Sequence, residues 1–366
     1  MIKVRQSELI VNLNCLKYNI LSLQEKLTNK AKLMPVIKAN AYGLGVAQIL
    51  DTIQQLGINQ VAVAIVDEGI ELRELGFDGM IFILNQPDIA EIPSIVRYNL
   101  IPGVSSSNFI EKFGKSSGRT HHIHIEIGTG MGRTGIRPDN VEEFINLIRK
   151  YENIKVDGIY THFSCSDCDD NYTKKQISNF NFAVEKAKEL LGNIRYIHAC
   201  NSAGIVNYPE AHYTLVRPGI MLYGYLPEDS LCNKIELKPS VVLKSKITYI
   251  KEVPPKTSIG YGRTFVTKRT TKVATIPLGY ADGIRRALSN NGNVVINNKL
   301  APIIGRICMD SFMVDITDLD DVVPNNDVYI WDNKNITLEQ VSEQCDTINY
   351  EILSTISYRV PRKYVE

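Results

Sequence analysis

Short runs of strand-forming residues alternate with amphipathic helical segments over about the first 235 residues of this 366-residue chain. This alternation implies parallel strands joined by covering helices. Eight runs in succession favour a closed (β/α)8 barrel of the TIM type, with a doubly wound open sheet as the alternative. The predicted strands are Leu33–Ala39, Val61–Val66, Met80–Asn85, Leu100–Ser106, His121–Gly128, Val156–Ser164, Ile194–Ser202 and Leu215–Ile220.

The pattern changes after Asp229. Pro239–Val253 and Thr271–Leu278 are typical of strands without long helices between them, and Asn297-Asn298 is typical of a turn between strands. We therefore expect two domains, an α/β barrel over residues 1–235 and a mostly-β domain over residues 236–366. The predicted helices include Ala47–Leu56, Val141–Tyr151, Lys174–Leu191 and Thr337–Cys345.

The charge balance limits the classes of partner. The chain has 41 Lys+Arg and 40 Asp+Glu, a formal net charge of +1, which argues against a nucleic acid or an anionic membrane as partner. No apolar run approaches the roughly 20 residues that span a bilayer, and the N-terminus does not resemble a signal peptide. Seven scattered cysteines do not indicate a disulfide framework. We expect a cytoplasmic enzyme.

Polar residues at the ends of the predicted strands are candidates for chemistry, because barrel enzymes react at that face. Lys38 ends an apolar strand, where a charged amine is costly unless it is used or paired. A desolvated amine has a lowered pKa and can bind a carbonyl cofactor covalently. The alternative is a lysine that extends into solvent. Arg133, His162, Ser202 and Gly219 stand at the ends of later strands.

The segment TGMGRTG, residues 129–135, contains the pattern GxGxxG after a strand. A dinucleotide fingerprint opens directly into a helix, whereas here the residues 136–138 are Ile-Arg-Pro. We therefore interpret this segment as a loop that brings Arg133 and backbone groups to a small anion.

Two further patterns allow a metal in principle. His122, His124 and Glu126 alternate along one strand, and Cys165 and Cys168 form a CxxC pair. No second pair has metal-ligand spacing. We interpret the first set as a polar row on one strand face and the second as two loop thiols, so no metal is expected.

Together these segments resemble alanine racemase, the pyridoxal 5′-phosphate (PLP) enzyme with a barrel followed by a β domain. The resemblance covers nearly the whole chain, and the β domain separates it from barrel-only PLP-binding proteins. The markers, in the order of the family, are VIKANAYG, TGMGRTG, THFS, NSAG, RPGIMLYG, YGRTF, LGYADG, GRICMD and NYEI with RVPR.

The resemblance implies a homodimer with shared active sites. Lys38 would bind PLP and act as one of two catalytic bases, with Tyr261 of the partner subunit as the other, because racemisation needs a base on each face of the α-carbon. Arg217 would face the pyridine nitrogen, and His162 would connect it to the second base. A cationic His162 and Arg217 would acidify the phenol. The PLP phosphate would bind Tyr42, Ser202, Gly219, Ile220 and Tyr350.

The resemblance also assigns the amino-acid substrate. Arg133 and the backbone of Met309 would hold its carboxylate, and Tyr280 with Tyr350 would narrow the entrance. Asp310, next to Met309, is a supporting residue.

Some positions depart from the family pattern. Glu126 occupies the position of a lysine that is usually carbamylated and orients the substrate arginine, so we hypothesise that Glu126 supplies this anion directly. Gly128 occupies a position where the family usually has an aspartate, and Leu44 occupies one where it usually has a histidine. These departures leave serine or broad specificity open beside alanine. A non-catalytic PLP carrier, for which Tyr261 would be dispensable, is the alternative from another class.

Overall fold

The computed structural model describes residues 5–28, 30–116 and 120–366. The chain forms two compact units. The barrel unit comprises the described residues of Cys15–Ala41 and Val46–Lys238. The β unit comprises Tyr42–Gly45, Pro239–Glu366 and the described residues up to Asn14.

Parallel strands form the centre of the barrel unit. Its first strand pairs with its last, and a bridge between Val36 and Ala62 links the chain after the first strand to the second strand, so the sheet closes. This closure confirms the predicted barrel. In the part of the chain that the structure describes, the eight strands are Lys32–Leu33, Gln60–Val63, Met80–Ile83, Ile101–Val104, His121–Glu126, Ile154–Tyr160, Tyr196–His198 and Leu215–Val216.

The helices between these strands each bury one apolar face. In Val46–Gln55 the residues Val46, Ile49, Leu50 and Ile53 are buried, at the spacing of one helix face. The longest helix begins at Asp170, four residues before the predicted start, because the Asp169 side chain accepts a hydrogen bond from the amide of Tyr172. The other helices in this region are Leu13–Glu25, Val66–Glu74, Ile92–Tyr98, Ser107–Phe113, Val141–Ile148 and Ser202–Asn207.

A mixed sheet forms the β unit. Asn297-Asn298, both at positive φ (49° and 60°), form the predicted turn between Asn293–Ile296 and Lys299–Ile304. Among the described residues the nine strands of this sheet, in spatial order, are Tyr249–Val253, Thr271–Ile276, Phe312–Asp315, Lys299–Ile304, Asn293–Ile296, Asp327–Trp331, Val241–Lys246, Glu8–Asn12 and Arg362–Val365.

The N-terminal strand Glu8–Asn12 belongs to this C-terminal sheet. It pairs antiparallel with Val241–Lys246 and parallel with Arg362–Val365, whereas the sequence predicts a barrel domain that includes all N-terminal residues. A short ribbon of Ser258–Ile259 and Phe265–Val266 adds to the unit, with two helices, Leu338–Gln344 and Asn349–Ser354.

Within the described ranges, no helix has the combination of length and hydropathy that crossing a membrane requires. All seven cysteines lie in these ranges and are free thiols.

Candidate active site

The predicted site residues divide between the two units. The barrel unit contains Lys38, Glu126, Arg133, His162, Ser202, Arg217, Gly219 and Ile220, and the β unit contains Tyr42, Tyr261, Tyr280, Met309, Asp310 and Tyr350.

Lys38 is half-buried after the bridge that closes the barrel. Burial lowers the pKa of its amine, and the positive charge of Arg133 lowers it further, while Glu68 acts in the opposite direction. A lowered pKa increases the fraction of neutral amine, which is the form that acts as nucleophile and base.

The segment after Lys38 has an unusual backbone. Ala39, Asn40, Ala41 and Tyr42 all lie at φ of 52° to 56°, so they form a left-handed turn where the sequence predicted the end of a strand. This conformation costs roughly 1–2 kcal/mol per non-glycine residue. In the barrel unit the turn is stabilised by the amide of Ala39, which donates to the Glu68 carboxylate at 2.5 Å. Asn40 Oδ1 accepts a hydrogen bond from the Val46 amide at 2.7 Å.

Arg217 is buried, with only 2% of its surface exposed. Its Nη1 donates to His198 Nδ1 at 2.8 Å, and its Nη2 donates to the carbonyls of Thr161 at 2.7 Å and Ala199 at 3.0 Å. His162 Nδ1 lies 3.4 Å from the same Nη2. The Nε atom is buried and has no hydrogen-bond partner among the described residues. The guanidinium is therefore fixed in place, and its Nε–H remains available as a donor.

His162 is uncharged near neutral pH. Burial and the positive charge of Arg217 lower its pKa to about 3. The expectation of a cationic His162 is therefore wrong, since a desolvated imidazole beside a guanidinium does not take up a proton. Arg217 is the remaining cation of that pair, because burial lowers its pKa only to about 10.

Ser202 and Gly219 form a polar pair in the barrel unit. Ser202 Oγ accepts a hydrogen bond from the Gly219 amide at 2.9 Å, which leaves the hydroxyl hydrogen available for another acceptor. Asn201 caps the short helix that begins at Ser202 by accepting from the Gly204 amide at 3.0 Å. Ile220 begins the turn that follows Gly219. The Ser202 hydroxyl is therefore a donor suited to an anion.

The loop that carries Arg133 closes on itself. Ile136 donates to the Glu126 carbonyl at 2.9 Å, and Gly128 donates to the Ile136 carbonyl at 2.8 Å. A Cβ on Gly135 would lie 2.4 Å from the Gly128 nitrogen, so this crossing requires glycine. A short 3-10 helix, Pro138–Asn140, follows, and the next α-helix begins only at Val141, as the sequence predicted.

Glu126 forms no ion pair with Arg133, although both residues are described by the structure. Its Oε1 instead accepts a hydrogen bond from the Thr134 hydroxyl at 2.8 Å, and Arg133 is exposed. Burial raises the pKa of Glu126, and the Thr134 hydrogen bond acts in the opposite direction. Glu126 therefore contacts the residue after the arginine rather than the arginine itself.

His122, His124 and Glu126 each have a separate environment. His122 Nδ1 lies 2.8 Å from Asp157 Oδ2, His124 Nδ1 lies 2.9 Å from His198 Nε2, and Glu126 contacts Thr134 as above. Over the described ranges, no group of three or more His, Cys, Asp or Glu side chains is arranged to hold a metal ion.

In the β unit, Tyr261 lies at the end of the ribbon between two glycines. Gly260 and Gly262 have φ of 71° and 70°, which favour glycine. The Arg306 guanidinium packs against Gly262, where a Cβ would lie 2.7 Å from its Nη1. Tyr261 is 72% exposed. The ribbon thus presents a phenol at its tip.

Tyr280 and Met309 are joined through the backbone. The Tyr280 amide donates to the Cys308 carbonyl at 3.1 Å, and the Ala281 amide donates to the Met309 carbonyl at 3.0 Å. Met309 is exposed.

Two aspartates, Asp282 and Asp310, form ion pairs that support the segments of Tyr280 and Met309. Asp282 is fully buried and accepts from Arg5 Nη2 at 2.8 Å. Arg359 lies 3.3 Å from Asp282 and 2.7 Å from Asp310. Sequence reasoning missed the supporting role of Arg5, Asp282 and Arg359, although the last two stand in the markers LGYADG and RVPR.

Tyr42 and Tyr350 lie side by side in the β unit, with ring centroids 6.1 Å apart. Burial raises the pKa of the Tyr42 phenol, so it remains a hydroxyl donor. The next two residues are held by the C-terminal strand: Arg362 Nε donates to the Gly43 carbonyl at 2.8 Å, and the Tyr364 hydroxyl donates to the Leu44 carbonyl at 2.9 Å.

Comparison with known proteins identifies the family. The profile described as "Alanine racemase, N-terminal domain" matches residues 11–227, and that described as "Alanine racemase, C-terminal domain" matches residues 240–364. The chain belongs to the alanine racemase family. The alanine racemase of Halothermothrix orenii is 40% identical over 361 residues, covering 97% of this chain and 95% of that protein.

Solved structures of the family have the same fold. The alanine racemase of Clostridium difficile 630 has a TM-score of 0.94 at 35% identity, covering 100% of this chain and 97% of that chain. The structure from E. faecalis has a TM-score of 0.93 at 31% identity, covering 99% and 98%. Both units of this chain are therefore those of the family, which consists of isomerases.

Proposed function

We propose that this chain is a PLP-dependent racemase that interconverts L-alanine and D-alanine with two bases, Lys38 and Tyr261 of the partner subunit. One observation carries the proposal: in a chain of the alanine racemase family, the barrel unit contains an amine of lowered pKa together with a fixed guanidinium whose Nε lacks a partner.

The donor set of the barrel unit fits PLP. A buried Nε without an acceptor suits the pyridine nitrogen, since an arginine can only donate. The Ser202 hydroxyl and the Ile220 amide suit the phosphate, while the Gly219 amide holds Ser202 in place by donating to its oxygen. We also assign Tyr42 and Tyr350 to the phosphate. Lys38 would hold the cofactor through its amine. When bound, PLP withdraws electrons from the bond between the α-carbon and its hydrogen.

The residues of this chain move the protons. The neutral Lys38 amine removes or returns a proton on one face of the α-carbon, and Tyr261 does so on the other. Arg133 and the backbone of Met309 bind the substrate carboxylate, which fixes both faces relative to the two bases. Tyr280 and Tyr350 exclude large side chains. Asp310, the residue after Met309, pairs with Arg359, and this ion pair holds the Met309 backbone in place.

The exposure of Tyr261 supports a shared site. A general acid or base needs fixed surroundings, and 72% of this side chain is exposed in the single chain. A homodimer that covers the ribbon supplies those surroundings.

Complementation tests this arrangement. Lys38→Ala and Tyr261→Phe would each be inactive alone. After unfolding and refolding together, about one quarter of wild-type activity should return, because half of the dimers are mixed and each has one intact site of its two. No recovery would exclude a site shared between subunits, and the homodimers of each variant refolded alone are the controls.

The substrate is tested by proton NMR in D2O with PLP and either L-alanine or L-serine, followed by chiral analysis. Loss of the α-proton signal with accumulation of D-alanine supports the proposal. Faster inversion of serine would assign a serine racemase, and bound PLP without exchange of either substrate would favour a carrier.

A further inference from the structure

Two histidines that the proposed reaction does not use lie inside the barrel unit. His198 Nδ1 is 2.8 Å from Nη1 of Arg217, and His198 Nε2 is 2.9 Å from Nδ1 of His124. Both histidines are fully buried. Arg217, His198 and His124 therefore form a continuous hydrogen-bonded row, which we name the histidine row.

The direction of the histidine row follows from the chemistry of its first member. A guanidinium has N–H donors and no acceptor, so Arg217 donates to His198 Nδ1, which must lack a proton. The proton of neutral His198 is then on Nε2 and is donated to His124 Nδ1. By the same reasoning, His124 is protonated at Nε2, a buried atom with no partner among the described residues.

Aromatic packing holds both imidazoles in place. The Tyr160 ring stacks on His198 at 5.1 Å and 7°, and the Phe82 ring stacks on His124 at 4.7 Å. Gly158 is opposite His124 on the neighbouring strand, where a Cβ would lie 2.7 Å from the imidazole. Little room remains for either ring to rotate.

The surroundings also oppose protonation of the row. The titratable and charged groups that face it are Arg217, Tyr160, Tyr196 and His122. Burial and the charge of Arg217 lower the pKa of His124 to about 3 and that of His198 well below its ordinary value.

We propose that His198 and His124 are positioning residues that hold the Arg217 guanidinium so that its Nε stays free to donate. This inference rests on the proposed function, which assigns Arg217 to the cofactor. His198 supplies the acceptor that fixes Nη1, and His124 supplies the acceptor that fixes the tautomer of His198. Neither imidazole exchanges a proton with the reaction, so the row is a support and not a proton relay.

Nitrogen NMR of the full chain labelled with 15N-histidine tests the direction. The chain has six histidines, which single substitutions assign. With and without PLP, both His198 and His124 should have an unprotonated Nδ1 and a protonated Nε2 that do not change between about pH 6 and 9. A protonated Nδ1 at either residue would overturn the proposal. This measurement uses no substrate, so its outcome is independent of racemase activity.

Two variants of His198 test the positioning role. The asparagine Oδ1 replaces the Nδ1 acceptor, whereas the glutamine amide extends to the position of Nε2 and leaves Arg217 without its acceptor. His198→Asn should bind PLP within about threefold of wild type, and His198→Gln should raise the PLP dissociation constant about tenfold or more.

The matched control is His212→Gln, which changes another buried histidine of the barrel unit, one whose Nε2 contacts the Ile205 carbonyl. It should lower stability without weakening PLP binding. Equal PLP binding by the two His198 variants would contradict the positioning role. If wild type itself bound no PLP, the proposed function would fail while the NMR result stood. If the variants did not fold, the wild-type tautomers would still decide the direction of the row.

Discussion

Arg217 in the barrel unit and Tyr261 in the β unit are held in opposite ways. Arg217 is 2% exposed and its two Nη atoms donate to three buried acceptors on two segments of the chain. Tyr261 is 72% exposed, lies between two glycines, and its hydroxyl has no hydrogen bond among the described residues. Arg217 is therefore fixed by the barrel unit itself, whereas the proposed role of Tyr261 requires surroundings that the β unit alone does not provide.

The two arginines of the barrel unit that we assign to the site repeat this contrast. Arg217 is buried and cannot move without breaking several hydrogen bonds, while Arg133 is exposed on a glycine-rich loop. A permanent cofactor suits a rigid donor, because a preformed site loses little entropy on binding. A substrate that enters and leaves with every turnover suits the exposed side chain.

The largest loss of activity is expected from a substitution of Lys38, the proposed base in the barrel unit. Lys38→Ala removes both the attachment of the cofactor and one base, so kcat/KM for alanine should fall by about 10⁴-fold or more. Chiral chromatography measures the turnover, and the visible absorption of the bound cofactor measures attachment. Lys32→Ala, at an exposed lysine in the first barrel strand, is the control and should change neither. Full retention of activity in Lys38→Ala would remove the lysine from the mechanism.

Sequence reasoning found most of the barrel because its signal is local. The eight runs appear in the structure in the same order, since each strand and each amphipathic helix is specified by residues close together in the chain. The site residues Lys38, Ser202 and Gly219 followed from their positions at strand ends and from the family motifs.

The features that sequence reasoning missed depend on distant contacts. The strand Glu8–Asn12 was not predicted, and nothing in its own residues indicates that its neighbours in the sheet are more than 200 residues away. The left-handed turn at Ala39–Ala41 opposes local preference and persists because Glu68 and Val46 bind it. The contact of Glu126 with Thr134 rather than Arg133 likewise depends on how the loop closes.

Tyr261→Phe tests whether the exposed phenol of the β unit is the second base. The variant should lose about a thousandfold in kcat while PLP absorption is unchanged, because only the second proton transfer is removed. In D2O, exchange of the α-proton without inversion should remain. Tyr249→Phe, at another exposed tyrosine of the β unit, is the matched control and should behave as wild type. Normal racemisation by Tyr261→Phe would exclude it as a base.

The buried His124 in the barrel unit predicts that the stability of the protein depends on pH. The pKa of His124 falls from its ordinary value of 6.5 to about 3 on folding, so between these values the unfolded chain binds one more proton than the folded chain. The free energy of unfolding therefore decreases as the pH falls below about 6.5, by about 1 kcal/mol per such histidine between pH 7 and 5.5. Urea unfolding at both pH values measures this.

His124→Asn isolates that contribution. The variant loses hydrogen bonding and packing at every pH, but the decrease in its stability between pH 7 and 5.5 should be smaller than in wild type by about 1 kcal/mol. Charged groups elsewhere contribute equally to both proteins and cancel in the difference. An unchanged difference between the two pH values would mean that His124 titrates in the folded protein as it does in the unfolded chain.

The smallest effect is expected at the loop that carries Arg133. Glu126→Leu and Thr134→Val each remove one partner of a hydrogen bond that closes this loop. Because Arg133 is positioned through the loop and not by an ion pair, KM for alanine should rise about three- to tenfold with kcat and PLP affinity nearly unchanged. The two variants together should be no worse than either alone, since they break the same contact.

Arg137→Gln, at an exposed arginine just beyond the loop, is the control and should leave KM unchanged. An additive double variant would mean that Glu126 acts on the substrate by another route, such as the field of its carboxylate. If Glu126→Leu left both turnover and substrate affinity at wild-type values, the glutamate would have no part in orienting Arg133. Arg133 would then be positioned only by the substrate, whereas Arg217 is positioned by hydrogen bonds within the barrel unit.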